Sequence, residues 1–522
     1  MRYIKKRQNS SEPEISNREL TAENLSTSLD ENLKNLGKLL DRCSDAVIKT
    51  FNFSKNPVIN AAILYFDGLT DRNEIEINIL KPLMLEIEKL STEYLTLYKT
   101  EDIFSSIKNR ILSMADVKEI KTFGEVCHHI SSGDTVLLID GFDLALAAST
   151  RSWQTRSIDT PENEVVIYGP KEGFNETLRF NTALLRRRLK STNFKIESMI
   201  LGRITKTDVA FCYIDNIAPP DLVAEIRSRL EEIDIDAVLD TSYIKEIIVN
   251  NKQTIFTQIE HTEKPDKACA HLLEGRICIL VDGSPMAIVL PITFPQYLIS
   301  SEDYYVHYIP ASLFRLLRFV AMFAALLLPS LYVAVISYHP EMIPTSLYLT
   351  IAATRQGVPF PPFFEALLLE ATFEMLREAG LRLPRAVGSA ISIVGALIIG
   401  DAAVRAGLVS TPMVVVVAFT AIASFVFPAY SAGIIIRVSR FGFLFAAALL
   451  GFLGIMIALG FFVVRMVSIS SFKQPYLSPI APLNFSQITD VLIRRPWFIN
   501  SKRPFVDGMK NQQRANIKDS DI

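Results

Sequence analysis

Charged residues are scarce in the last third of this 522-residue sequence, which excludes a wholly soluble protein. The 87 residues from Ala386 to Phe472 contain a single acid, Asp401, and four bases at positions 405, 437, 440 and 465. Such a segment predicts a membrane-embedded region. The whole chain has 54 basic and 56 acidic side chains, and its net charge of −2 argues against a nucleic-acid-binding protein, whose affinity depends on neutralising phosphates.

Cysteine is also scarce, and the residues of a secretion signal are missing. The five cysteines are scattered without a C-x-x-C pair, which favours free thiols in a reducing compartment. The basic residues near Met1 are followed by the polar run 8–18 rather than by an apolar core, so we expect no signal peptide and a cytoplasmic N-terminal part.

Catalytic motifs are missing as well. The sequence contains neither G-x-S-x-G nor H-E-x-x-H. The adjacent pair His128 and His129 cannot share one helix face, and Cys269, His271 and Cys278 lack a fourth zinc ligand. We therefore expect no enzyme activity, no cofactor and no metal site.

The pattern of the N-terminal 305 residues predicts an α/β region. Residues 1–30 are polar and predict a disordered tail. Residues 31–200 and 201–305 predict two similar subdomains, because short apolar runs alternate there with amphipathic helical stretches. The strands are expected at Ala62–Phe66, Val136–Ile139, Val165–Tyr168, Val209–Ile214 and Ile277–Val281.

A weak internal sequence repeat supports the prediction of two subdomains. An apolar strand ending in Asp140-Gly141 matches another that ends in Asp282-Gly283, and upstream Asp67-Gly68 corresponds to Asp215-Asn216. Such pairs suit tight hairpin turns. We interpret the match as a degenerate duplication, although hairpins of this kind also recur by chance.

A glycine-containing loop, 168–174, precedes a helix with three successive arginines, 186–188. The loop is neither a P-loop nor G-x-G-x-x-G, which argues against nucleotide binding. Because consecutive helical residues point in different directions, the arginines are expected to contact another subunit or an anionic membrane surface.

Residues 306–472 predict a helical membrane domain of about four spans. Uncharged stretches of sufficient length lie at Phe319–Tyr338, Ala386–Gly400 (extending to Val404), Ala406–Ile436 and Phe441–Val464. Four spans place both ends in the cytoplasm, which suits the basic tail 473–522. The turn Arg437–Arg440 then lies outside, against the charge rule, but a five-span arrangement would place the whole tail outside.

The segment 345–384 departs from a simple span. After a proline-rich break it predicts an apolar helix with Glu370 and Glu374 on one side and Glu365 almost opposite. Such a helix is expected either to lie on the membrane surface as an amphipathic helix or to re-enter the bilayer.

The second span is rich in small residues. Small side chains let helices pack closely, which is one interpretation. The other is that several copies surround an aqueous path, gated by a ring of Val394 or Ile398. The candidate pore-lining residues are Ser389, Ser392, Val394, Ala396, Ile398, Asp401 and Arg405.

Five segments together resemble the A subunits of GerA-type spore germination receptors, over most of the chain. These segments are 169–174 with 181–188, His339–Thr345, Arg355–Pro361, Leu381–Gly388 and Ile391–Gly400. The resemblance identifies a family motif loop carried by Gly169, Pro170, Glu172, Gly173 and Arg187.

The resemblance implies a multi-pass protein of the spore inner membrane with a two-part cytoplasmic N-terminal domain. It also implies a B subunit that resembles amino-acid transporters and carries the nutrient site, a C-subunit lipoprotein, and self-association within membrane lipid. The expected function is a germinant-gated cation channel that starts spore germination. The alternatives are a non-conducting scaffold or accessory protein of the same complex, and a secondary transporter, which is disfavoured because no repeat occurs among the spans.

Overall fold

The computed structural model describes residues 20–53, 58–85, 116–152, 166–382, 400–504 and 508–514, with 104, 107–108, 114, 161 and 164 in addition. The predicted pore-lining residues from 389 to 398 lie outside these ranges. The following elements are built from the described residues.

The first repeat forms a five-stranded antiparallel sheet in the order β1-β2-β4-β5-β3. Its strands β4 and β5 are fully buried, so helices and loops cover both faces. The elements in chain order are α1 (Leu29–Leu39), β1 (Ala46–Phe53), β2 (Ile59–Phe66), α2 (Arg72–Ile75), a π-helical turn (Glu76–Leu80), α3 (Lys81–Leu85), β3 (Val117–Ile120), α4 (Phe123–Ser131), β4 (Thr135–Ile139) and β5 (Ala145–Ala148).

The second repeat forms an antiparallel sheet with the corresponding order, β6-β7-β9-β10-β8. The elements are α5 (Leu178–Arg188), β6 (Phe194–Leu201), β7 (Thr207–Ile214), α6 (Pro220–Glu231), α7 (Thr241–Ile248), β8 (Glu260–Thr262), α8 (Pro265–Leu273), β9 (Ile277–Val281) and β10 (Ala287–Leu290). The two sheets confirm the α/β class, and their common strand order supports the predicted duplication.

The predicted boundary at residue 200 is wrong. It falls inside β6, and the second repeat already begins with helix α5. Both repeats start alike: the side chain of Asn32 bonds the backbone of Ser26, and Asn181 bonds that of Asn175 in the same way. The described residues 166–168 of the expected strand Val165–Tyr168 form no strand, and 167 and 168 lie in a bend.

The two Asp-Gly hairpins also do more than turn the chain. Asp140 accepts a hydrogen bond from the backbone of Leu29, and Asp282 accepts one from Leu178, so each carboxylate caps the first helix of its repeat. In contrast, Asp67-Gly68 and Asp215-Asn216 close no hairpin, because β2 and β7 lead into helical segments. That part of the prediction is wrong.

The end of the expected disordered tail is ordered. Leu20, Leu25 and Leu29 are buried in the apolar core of the first repeat, and the backbone of Leu25 bonds that of Lys121. The predicted limit at residue 30 therefore lies too far along the chain, because spaced leucines supply burial that a polar average conceals.

The helical region begins with the long apolar helix α9 (Tyr308–Tyr338). It continues with α10 (Thr345–Arg355), α11 (Pro362–Arg382), helical residues 400–405, α12 (Thr411–Ser424) and α13 (Tyr430–Ser468). Among the described residues, α9 and α13 are long and apolar enough to cross a membrane, whereas α12 is shorter. Four spans therefore stay a prediction.

Helix α13 reverses direction at Gly451. This residue has φ +60 and ψ −134, and an added Cβ would lie 3.0 Å from the Tyr338 ring. The rings of Phe443 and Phe462, on either side of Gly451, have centroids only 5.9 Å apart, so the two halves form a helical hairpin. The predicted turn at Arg437–Arg440 is wrong, because these residues are helical and the reversal occurs later.

The C-terminal segment returns to the α/β region. It contains β11 (Ser470–Ser471), β12 (Gln474–Pro475) and α14 (Phe485–Leu492). The backbone of Phe294 donates to Tyr476, and the amine of Lys510 lies 3.4 Å from the Asp215 carboxylate. The end of the chain and the α/β region therefore share one side of the helical region.

Candidate functional site: buried ion pairs in the helical region

The outer surface of the helical region is apolar, while its charges lie inside. Leu449, Met456, Phe461 and Val464 of α13 are largely exposed. An exposed apolar surface of this kind indicates contact with lipid. Charged side chains within such a region are costly and are therefore candidates for function.

The most buried ion pair joins α11 to α13. An oxygen of Glu370 lies 3.0 Å from a guanidinium nitrogen of Arg440, and each side chain is 1% exposed. Arg437 and Arg440 are three residues apart, and Glu370 and Glu374 are four apart, so each pair occupies one helix face. Two helix faces of opposite charge thus meet inside the bundle.

Glu374 extends this pair into a network. Its carboxylate accepts hydrogen bonds from Arg437 at 3.2 Å and Arg440 at 3.1 Å, and Arg377 lies 3.5 Å away. Three guanidinium groups therefore surround two carboxylates. Separating α11 from α13 would leave these charges unpaired, which costs about 3–5 kcal/mol for a buried pair.

Arg377 connects the network to α12. Its guanidinium lies against the rings of Phe373 and Phe425, at 4.9 and 4.8 Å from their centroids, and donates to the Ser424 hydroxyl at 2.6 Å. Ser424 is the last residue of α12. Stacking on aromatic faces partly replaces the lost hydration of the cation.

Glu365 forms a second ionic contact at the other end of α12. One oxygen lies 3.0 Å from Arg355 of α10, and the other accepts hydrogen bonds from the backbone and hydroxyl of Ser410 at 2.8 and 2.7 Å. Ser410 is the N-cap residue of α12. A carboxylate at this position satisfies free N–H groups and favours the helix dipole.

These contacts correct the interpretation of segment 345–384. If the segment were an amphipathic helix on the membrane surface, its acidic residues would be exposed, but Glu365 and Glu370 are buried against arginines. Whether the segment lies at the membrane surface or re-enters the bilayer stays a prediction. Sequence reasoning missed Arg355, Arg437 and Arg440 as partners, although bases within an uncharged run were a usable signal.

The other predicted site residues are placed differently. Asp401 and Arg405 form the expected pair at 2.8 Å, but their side chains are 56% and 80% exposed. Ser389, Ser392, Val394, Ala396 and Ile398 lie outside the described residues, so their role in a pore stays a prediction.

The motif loop is a structural junction. Gly169 has φ +114, and an added Cβ would lie 2.6 Å from the Tyr305 ring. Beyond it, Pro170 is half-buried, Gly173 is buried, and the Glu172 carboxylate pairs with both Arg187 and Arg188. The loop therefore joins the second repeat to the segment that precedes α9.

The three successive arginines have partners within the chain. Arg186 binds Asp45 of the first repeat with two hydrogen bonds of 2.8 Å, whereas Arg187 and Arg188 bind Glu172. The predicted contact with another subunit or with anionic lipid is wrong for the buried Arg186, and for Arg187 and Arg188 it stays a prediction. Arg186 instead holds the two repeats together.

A duplicated α/β domain fixed to an apolar helical region with internal ion pairs defines a membrane protein with a large extramembrane part. A family model described as "Bacillus/Clostridium GerA spore germination protein" matches residues 34–506, and the chain belongs to this family of germination receptor subunits, which are not enzymes.

Relatives support this assignment over nearly the whole chain. Spore germination protein KA of Bacillus subtilis is 40% identical over 480 residues, which cover 92% of this chain and 87% of that protein. The uncharacterized membrane protein YfkQ of the same species is 39% identical over 501 residues, or 95% of each chain. The crystal structure of the N-terminal domain of the A subunit of the Bacillus megaterium spore germinant receptor GerK3 aligns with a TM-score of 0.42 and 32% identity, covering 52% of this chain and 98% of that one.

Proposed function

We propose that the chain is the membrane subunit of a nutrient germinant receptor in the spore inner membrane, and that several copies form a cation channel opened when germinant binds. The B subunit, similar to amino-acid transporters, would carry the nutrient site, and a lipoprotein C subunit would complete the receptor. Family membership supports the receptor role. The observation that supports a channel is that charged side chains are concentrated inside a region whose outer surface is apolar.

The ion pairs give the proposed channel a two-state element. Glu370 and Glu374 hold α11 against the first half of α13, so movement between these helices exchanges paired charges for unpaired ones. A partner that binds germinant would open the channel only by favouring the separated arrangement by a comparable free energy. The second span, with its small residues, is the proposed lining, and Asp401 and Arg405 would lie at its end.

Reconstitution tests the channel. We would insert the purified full-length chain into liposomes and measure K⁺ efflux for the wild type, Glu370→Gln, Arg440→Gln and the control Glu341→Gln, whose carboxylate is exposed. We expect the first two variants to raise basal efflux severalfold and the control to leave it unchanged. Equal efflux from all variants would refute the gating role.

The second candidate is a non-conducting accessory protein. The similarity to YfkQ favours it, because that relative is nearly as similar as the germination protein KA and has no receptor name. A folded oligomer that conducts no K⁺, alone or with its B and C subunits, would establish this alternative. Spores carrying a deletion of this chain would then still respond to every nutrient, only more slowly.

A further inference from the structure

A cavity of about 500 Å³ lies where three parts of the chain meet. Helix α8 of the second repeat forms one wall, the turn Ser301–Tyr304 before α9 forms another, and the C-terminal segment with α14 closes it. The cavity lies apart from the ion pairs of the helical region.

The walls of the cavity carry excess positive charge. Lys267 is the exception, because two carboxylates, Glu260 and Glu164, lie 2.6 and 2.7 Å from its amine. Burial alone would raise the pKa of the Glu260 carboxyl, but Lys267 and His271 lower it to about 2. The other lining cations are Arg276, Arg495, Lys502 and Arg503, against two lining carboxylates, Glu274 and Asp490.

One of these carboxylates is already shared. Glu274 lies 3.1 Å from Arg276 and 3.3 Å from Arg514, which is outside the lining set. Burial and the neighbouring Arg276 lower the pKa of His271, so this imidazole is neutral and pairs with the Arg276 guanidinium. Glu274 is therefore shared by two arginines.

Two cations have no carboxylate partner at all within the described part of the chain. Arg503 donates only to backbone carbonyls, among them Leu273 at 2.8 Å and Asn511 at 3.2 Å, and Lys502 forms no ion pair there. Arg276 is 1% exposed, yet its Nε has no hydrogen-bond partner among the described residues. A buried donor without an acceptor costs free energy unless a ligand supplies one.

We infer that this cavity binds a phosphate group. A free phosphate carries about two negative charges and a phosphodiester headgroup carries one, and either offers several acceptor oxygens to Lys502, Arg503 and the unpaired donor of Arg276. The source is either free phosphate or a lipid headgroup, because Tyr304 on the cavity wall is four residues before the apolar helix α9 begins. Basic pockets at the ends of spans bind phospholipid headgroups in this way.

The test uses the full-length chain in dodecyl maltoside with two kinds of probe. Equilibrium dialysis measures radiolabelled inorganic phosphate, and native mass spectrometry measures retention of phosphatidylglycerol against diacylglycerol, which has the same chains but no phosphate. The variants are Lys502→Gln and Arg503→Gln. The matched control is Lys510→Gln, which lies on the same segment, pairs with Asp215 and does not line the cavity.

We expect saturable binding of one probe per chain, weakened about tenfold by each cavity variant and unchanged by Lys510→Gln. Binding of inorganic phosphate alone would assign free phosphate, and preferential retention of phosphatidylglycerol would assign a lipid headgroup. Because Lys502 is exposed and has no ion pair to lose, its variant tests the site even if Arg503→Gln loosens the segment. No saturable binding of either probe, or an equal loss in Lys510→Gln, would overturn the inference.

Discussion

The ion pair between Asp45 and Arg186 should hold the two repeats together. Removing the aspartate should lower the free energy of unfolding more than removing the arginine does. The Arg186 side chain is 1% exposed and Asp45 is 11% exposed. Besides two bonds to Asp45, the guanidinium donates to the carbonyls of Phe194 at 2.7 Å and Ser191 at 3.2 Å, and it stacks on Phe66. The arginine is therefore held in place even when its counter-ion is lost.

Asp45→Asn leaves this buried cation without a negative partner. Breaking a buried pair from one side costs about 3–5 kcal/mol, and we expect about 3 kcal/mol because asparagine keeps one acceptor. Arg186→Met should cost less, because the remaining carboxylate is partly hydrated and methionine fills apolar space. The double variant should be more stable than the sum of the two single changes predicts.

Hydrogen exchange of the full-length chain in detergent measures these differences, because protection in β1 and β6 reports the free energy of local opening. The control is Asp41→Asn, which removes an exposed pair with Arg42 at 3.6 Å and should cost less than about 1 kcal/mol. If Asp45→Asn changes protection no more than this control does, the assigned role of the pair is refuted.

Three further predictions concern other contacts. Gly169→Ala places a Cβ against Tyr305 at positive φ and should destabilise the chain by about 1–3 kcal/mol, read from the thermal midpoint; an unchanged midpoint would contradict the strain. Glu365→Gln should loosen the start of α12 and increase tryptic cleavage after residue 355, whereas equal cleavage would show that the cap contributes nothing. Burial and Lys245 lower the pKa of His261 to about 4, below the ordinary 6.5. The unfolded chain therefore binds a proton at a higher pH than the folded chain does, and the free energy of unfolding falls as the pH drops from 6.5 to 4. The thermal midpoint of His261→Gln should therefore fall less between pH 6.5 and 5 than that of the wild type, and parallel losses would contradict the assignment.

The duplication was predictable because both repeats end in the same local pattern, an apolar strand followed by Asp-Gly. The residue at which the second repeat begins was not predictable. Asn32 and Asn181 occupy equivalent positions, but their surroundings differ in sequence, and their shared role depends on backbone bonds formed only in the folded chain.

The sequence marks single bases in the helical region as unusual, but it does not show which acidic residue each one pairs with. Helical periodicity shows that Glu370 and Glu374 share a face, but it does not identify a neighbour 66 residues further on, as Arg440 is from Glu374. The reversal of helix α13 at Gly451 could not be predicted for a similar reason. It lies in a uniformly apolar stretch with several glycines, and only the contact with Tyr338 distinguishes it.

The return of the C-terminal segment to the second repeat has a consequence for biosynthesis. Ser471 bonds the backbone of Gln258, and Tyr476 packs between Phe256 and Phe294, so part of the early domain is covered by residues translated some 200 positions later. While the helical region is still being inserted, this apolar surface has no cover. A chain that ends before residue 470 would lack these contacts and leave the α/β region incomplete. Docking of the last segment can therefore follow only after the entire membrane part has been synthesised.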